Sequence, residues 1–219
     1  MLVLDIGCGR KKLPGSVGID FSPMSDADIT LNLNAELLPF PDGSVDFIHS
    51  SHALEHLTAD GFLNVMKECY RVLNPEGQLY LLVPYFTTAL NLSNIFHNNQ
   101  ICFNEHTFRF FSSDEHCEAL PPEDYAYPSC PQWGLRYSAN SELEIEFRTN
   151  RIDFIYMPQW RDMSVAEQAS ARRSKLDVVE QIAYHLSPVK PCPLRPERGP
   201  IADLADPHVF IDNQQIYFW

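Results

Sequence analysis

The residues of this 219-residue chain whose types and spacing suit chemistry fall into three groups. The first is Val3-Leu4-Asp5-Ile6-Gly7-Cys8-Gly9, an apolar run closed by two glycines. Glycines there let the backbone turn sharply and come close to a ligand. A bare G-x-G is shared by many phosphate-binding loops. Such a loop also needs a third glycine and a helix N-terminus, and Arg10-Lys11-Lys12-Leu13-Pro14-Gly15 leaves little room for a long helix. Asp20, eleven residues after Gly9, closes the next apolar run, where a carboxylate can accept from both hydroxyls of a ribose. The second group is His52-Ala53-Leu54-Glu55-His56. H-x-x-E-H is the signature of an inverted zinc peptidase. On a helix, the two histidines would share a face with Glu55 as base. No third ligand stands on an obvious downstream helix, so zinc hydrolysis is the lesser reading. The third group is His97 and His106, set among aromatic residues.

These groups need a scaffold, and the spacing of apolar residues supplies one. Val3–Ile6, Val17–Asp20, Asp28–Leu33, Val45–Ser50 and Gln78–Val83 read as five strands. They are apolar on both sides, as strands covered on both faces of a parallel sheet are. Ala59–Leu73 has the spacing of a helix, with Phe62, Val65, Met66, Cys69, Tyr70 and Leu73 on one face, and Asn74-Pro75-Glu76-Gly77 ends it. The strand–helix–strand unit implies a right-handed crossover. Downstream, Leu143–Ile155 reads as a long strand or tight hairpin. Ser164–Leu186 reads as a helix with Ser164 and Glu167 as a capping box. Pro188–Pro207 holds six of the 17 prolines and reads as an extended connection, with Val209–Trp219 a final strand.

Composition narrows the field. The 29 acidic residues against 16 basic give a net charge of −13, and the excess is spread over both halves. With no basic region to neutralise phosphates, a nucleic-acid partner is not expected. No apolar run nears the ~18–20 residues that span a bilayer, so no membrane partner is expected. Met1–Asp5 carries no export signal, which places the chain in the cytoplasm with reduced thiols. Cys102, Cys117 and Cys130, interleaved with His97, His106 and His116, match no zinc-ligand spacing, and no metal is expected.

Taken in order, the motifs resemble class I S-adenosylmethionine-dependent methyltransferases, in the group that includes the ubiquinone-type and type 11 enzymes. The likeness covers about the first 86 residues, through Arg71-Val72-Leu73-Asn74-Pro75-Glu76-Gly77 and the strand after it. It implies an α/β, doubly wound, Rossmann-like sheet of seven strands, mainly parallel with an antiparallel end. The last two strands, near 143–155 and 209–218, would make that end. The cofactor implied is S-adenosyl-L-methionine. By the resemblance, Asp5, Gly7, Cys8 and Gly9 surround its methionine end and Asp20 binds its ribose. Asn34, Ala35 and Glu36 lie in the segment that contacts adenine, although the family usually has Asp where Asn34 stands. An amide at Asn34 still offers an acceptor to the adenine amino group. Ser51 and His52 border the cofactor, where the group often reads x-x-L-E-H. The resemblance leaves a divalent ion on His52, Glu55 and His56 as a lesser alternative.

A compact subgroup, which starts directly at the first strand, is similar in Lys12-Leu13-Pro14-Gly15 and in Val83-Pro84-Tyr85-Phe86 followed by His97, Phe103, Phe108, Phe110 and Phe111. The expected reaction is methyl transfer to an oxygen or nitrogen of a small-molecule acceptor. A non-catalytic S-adenosylmethionine-binding protein is the alternative. Removing the nucleophile's proton suits imidazole, so His97 is the first candidate base or substrate-orienting group, ahead of His52 and His106. Tyr85, at the carboxyl end of the fifth strand, is a candidate acceptor-pocket residue with His97. Trp133, Tyr137 and Trp160 are weaker candidates, and Phe147 and Phe154 are expected in the core. The chain reads as one domain, with 1–86 binding cofactor and with 87–142 and an insertion at 156–208 closing the acceptor site. With Met1 almost on the first strand, no N-terminal helix is expected over that edge, and the covering is expected from these aromatic-rich segments.

Overall fold

The computed structural model describes residues 1–97, 101–112, 116 and 145–190. The strands β1 (Val3–Ile6), β2 (Val17–Asp20), β3 (Ile29–Thr30), β4 (Val45–Ser51), β5 (Leu73–Pro84), β6 (Phe147–Tyr156) and β7 (Val179–Pro188) form one sheet. Its order is β3-β2-β1-β4-β5-β7-β6. The first five strands pair in parallel, while β7 lies antiparallel to both β5 and β6. The α-helices among the described residues are α1 (Ala59–Val72), α2 (Ala89–Ser93) and α3 (Val165–Arg172).

Helix α1 forms where expected. Thr58 caps it by accepting from Gly61 N, and Phe62, Val65, Met66, Cys69 and Val72 are buried against the sheet. Each such large side chain is worth roughly 1.5–3 kcal/mol of burial. The aromatic trio Phe103, Phe108 and Phe111 packs edge-on around Phe62 and extends the same core. A smaller cluster of Phe47, Tyr80, Leu82 and Ala183 occupies the other face of the sheet.

Several expectations are corrected. The helix ends at Val72, just before Asn74-Pro75-Glu76-Gly77 as expected, but the fifth strand is longer than expected: α1 passes at once into β5, whose register shifts between the Val45–Leu73 and Phe47–Gln78 pairs. Asp46 holds that irregular start, accepting from Asn74 Nδ2 at 2.7 Å and Leu2 N at 2.6 Å. The third strand is only Ile29–Thr30, because Asn32 draws the chain into a turn by accepting from Asn34 N and Ala35 N. The helix read from Ser164 starts there, with both bonds of the capping box present, but α3 ends at Arg172. Residues 179–188 are β7. Val178, Ile182 and Leu186 satisfy a helical repeat, while Ile182, Tyr184 and Leu186 equally satisfy the two-residue period of a strand, and sheet pairing decides. The antiparallel end among the described residues is therefore β6, where a strand near 143–155 was expected, and β7, which falls inside the stretch 156–208 read as an insertion. Val209–Trp219 lies outside the described residues, as does the proline-rich stretch beyond Lys190.

Candidate active site

The carboxyl edge of β1, β2 and β4 gathers the first two groups of residues. Between β1 and β2 the chain makes turns instead of a helix, and Asp5 braces them. Its Oδ2 accepts from Leu13 N at 2.7 Å, and its Oδ1 lies 2.7 Å from His49 Nδ1. Both Asp5 oxygens thus hold the protein itself, in a site 3 % exposed. Gly7 and Gly9 have φ of +69° and +53°, a region that L side chains avoid. At Gly7 the demand is doubled, since a Cβ there would lie against the Cβ of Ala53, in the loop after β4. Asp20 Oδ2 accepts from Gly9 N at 2.9 Å and its Oδ1 from Ser22 N at 2.8 Å, leaving each oxygen a lone pair for a further donor. Burial, with Asp5 and Asp20 nearby, pushes the Cys8 thiol up to about 12, so it stays neutral.

Asn34 is placed otherwise than expected. Its Oδ1 accepts from both Thr58 N (2.8 Å) and Thr58 Oγ1 (3.0 Å), which clamps the turn after β3 onto the start of α1. The oxygen assigned to an adenine amino group is therefore spent on the protein. Ala35 sits in the same turn, and Ser51 ends β4 opposite Leu82. The sequence reading missed Phe21. It follows Asp20 directly and is 74 % exposed, an apolar side chain next to a candidate ribose acceptor being the signal.

After β4 the backbone is unusual. His52 has φ +54° and donates its N–H to Leu82 O, and Leu54–His56 forms a single 3-10 turn. The five residues are not an α-helix, so the i, i+4 face required for an H-x-x-E-H zinc site is not formed. Instead Glu55 is turned inward, 1 % exposed, and neither oxygen has a hydrogen-bond donor among the described residues. His52 Nδ1 comes within 3.3 Å of Glu55 Oε1, in a direction that makes no hydrogen bond. Burial works to lower the His52 pKa, but adjacent Glu55 outweighs it and leaves the pKa raised.

The third group splits. His97 joins Glu55: its ring meets that of His56 edge-on at 4.9 Å between centroids. Its Nδ1 lies 2.7 Å from Asn91 Oδ1, and its Nε2 lies 2.8 Å from Asn94 Nδ2. Desolvation lowers its pKa, opposed by Glu55 and assisted by His56 and His52. His106 stands apart at the start of the Thr107–Phe111 turn and is not among the residues converging on Glu55.

Tyr85 is corrected outright. It is 2 % exposed, and its hydroxyl donates to Glu105 Oε2 at 2.7 Å. Glu105 Oε1 in turn accepts from Arg172 Nε at 3.2 Å, and Arg172 lies 4.0 Å over the Phe154 ring. Burial drives the Tyr85 pKa far upward. A parallel bridge with Phe103 and a bond to Glu180 O seal its backbone, so Tyr85 is core and lines no acceptor pocket. Phe147 is buried and Phe154 packs against the same core. Trp160 lies half-buried beneath Lys175, whereas Trp133, Tyr137, Cys117 and Cys130 lie outside the described residues. Among the described residues no helix is long and apolar enough to cross a membrane.

A glycine turn and strand-end carboxylates at the carboxyl edge of a mainly parallel sheet, closed by an antiparallel pair, define a Rossmann-like class I methyltransferase fold. Residues 4–81, just over a third of the chain, match a family model described as a methyltransferase domain. That segment is similar to S-adenosylmethionine-dependent methyltransferases of the type 11 group. A solved structure agrees in fold. An S-adenosylmethionine-dependent methyltransferase from Archaeoglobus fulgidus superposes with a TM-score of 0.52 at 15% identity, over 84% of this chain and 85% of that one. One from Mesorhizobium loti gives 0.43 at 13%, over 85% and 90%, and one from Aquifex aeolicus 0.39 at 16%, over 85% and 81%. No curated protein matches the sequence.

Gly7→Ala tests the coupling of the two loops. The added methyl would meet Ala53 in a backbone conformation already unfavourable to alanine. We expect cofactor affinity to fall by at least about tenfold, the equivalent of a strain of ~1–3 kcal/mol. Calorimetric titration checks it, and Gly15→Ala serves as the control, because Gly15 shares the positive φ but has open space around it.

Proposed function

We propose that the enzyme methylates an oxygen or nitrogen of a small-molecule acceptor, and that the acceptor's reacting atom is received beside His52 and His97. The observation that carries this reading is the contact of Ala53 with Gly7. It ties the loop bearing His52 and Glu55 directly to the turn that the cofactor would use. The residues suit S-adenosylmethionine. Asp20 retains lone pairs for the ribose hydroxyls, Phe21 offers an exposed ring for adenine, and Gly9 in the turn has no side chain and open space beside it. When bound, the cofactor supplies an electrophilic methyl group on a sulfonium. The protein's own task is to align the nucleophile and accept its proton. Phe96 N donates to Asn94 Oδ1, which fixes the Asn94 amide so that its nitrogen faces His97 Nε2. His97 is then the neutral Nδ1–H tautomer, and its Nε2 lone pair, which accepts from Asn94, would take a proton once that amide swings away. Asp5 acts at one remove by holding the turn, and we place no acceptor contact on Tyr85 or His106.

The test is release of S-adenosylhomocysteine with a panel of small hydroxyl and amine acceptors. His97→Ala should lower turnover with an accepted compound by about a hundredfold, with S-adenosylmethionine affinity unchanged within a few-fold. Binding of the cofactor with no turnover across the panel would favour a non-catalytic binding protein.

A further inference from the structure

We propose that Glu55, His56 and His97 form a site for one divalent transition-metal cation. One ligand atom of each lies within 4.8 Å of the other two, although the residues come from separate segments, the turn after β4 and the stretch after α2. The donor set is two imidazoles and a carboxylate, which leaves positions open on the ion and suits borderline cations such as zinc or iron(II).

Two observations point to an ion in preference to a plain ion pair. First, Glu55 is buried, and both its oxygens are without a hydrogen-bond donor among the described residues. A buried carboxylate without a hydrogen-bond donor is costly; His52 Nδ1 stands 3.3 Å away without donating to it, and neither ring of the triad donates to it. Second, both histidines are oriented as metal ligands usually are, by a hydrogen bond from the other ring nitrogen. His56 Nδ1 faces the carbonyl of Phe96 at 3.0 Å, and a carbonyl can only accept. His97 Nδ1 faces Asn91 Oδ1 at 2.7 Å. Nε2 is thereby the lone-pair nitrogen of both neutral rings. Ligand bonds of about 2.0–2.2 Å require the donors to draw in by about 1 Å, and the Asn94 amide must leave His97 Nε2.

The inference goes beyond methyl transfer and does not depend on it. If the ion binds, His97 serves as a ligand, and His52, outside the triad, remains the imidazole available to take a proton.

The test uses the full chain, stripped with a chelator and titrated with zinc against a chromophoric competitor, and separately with cobalt(II). Expected are one equivalent of zinc bound at micromolar concentration and a cobalt spectrum with no thiolate charge-transfer band. Glu55→Gln and His97→Ala should each weaken zinc by at least about tenfold, while His185→Ala, paired with Asp153 on the last strands, should not. No zinc bound by the wild type, unchanged affinity in His97→Ala, or a thiolate band in the cobalt spectrum would each overturn the proposal. His97 is only partly buried, so its variant decides the matter even if Glu55→Gln does not fold. Calorimetry with S-adenosylmethionine on the stripped protein reads the methyltransferase assignment separately.

Discussion

Asp20→Ala is expected to weaken S-adenosylmethionine binding by about 2–4 kcal/mol, roughly thirtyfold to a thousandfold. Two losses combine in that figure. A charged acceptor for ribose hydroxyls disappears, and so do the bonds that tie Gly9 N and Ser22 N to one side chain. Asp20→Asn separates them. It keeps the shape and one acceptor oxygen, but it turns an NH2 group toward one of those backbone donors. Its affinity should fall between wild type and Asp20→Ala. Titration calorimetry with S-adenosylmethionine and with its demethylated product reads both variants, and circular dichroism confirms that the fold survives. Wild-type affinity in Asp20→Ala would remove Asp20 from the cofactor site.

The parallel half of the sheet was legible because its strands are short, apolar on both faces and separated by unambiguous turns. Val3–Ile6 and Val17–Asp20 came out to the residue. The antiparallel half was legible only in β6, read as a strand or hairpin over 143–155. In residues 164–186 the signals for a helix start were strong and correct, and nothing local marked its end at Arg172. The stretch that follows satisfies both periodicities, and pairing with β5 settles the matter, an influence that a local pattern does not contain. The candidate site shows the same division. Asp5 and Asp20 lie in β1 and β2 near their carboxyl ends, with Gly7 directly after β1, a placement that follows from the local pattern. The roles of Asn34 and Tyr85 depended on which distant groups their polar atoms would meet, Thr58 in one case and Glu105 in the other. His97 was singled out for its chemistry, yet its meeting with Glu55 and His56 follows from the path of the chain after α2, which no spacing rule foretells.

The network beneath the antiparallel strands carries the largest expected effect on stability. Glu105 and Arg172 are both buried, at 9 % and 6 % exposed, and they pair at 3.2 Å. Removing one partner of such a pair typically costs about 3–5 kcal/mol, because the survivor is left buried and uncompensated. Arg172→Ala should therefore lower the melting temperature by roughly 10 °C in a chain of this size. It would also strip the guanidinium from the Phe154 ring and from the Tyr156 hydroxyl. Tyr85→Ala should do comparable damage by a different route, since it empties the space of a whole buried ring at about 3–5 kcal/mol. Tyr85→Phe isolates the hydrogen bond to Glu105 and should cost only about 1–3 kcal/mol. None of the three should shift S-adenosylmethionine affinity by more than a few-fold at a temperature where the variant is folded, since Tyr85 holds Glu105 and no group of the cofactor turn. Thermal denaturation beside calorimetric titration gives both readings. A Tyr85→Ala protein with wild-type melting and lost turnover would return Tyr85 to the acceptor pocket. Low melting with intact cofactor binding fits a brace that fixes β5 against the segment carrying Glu105.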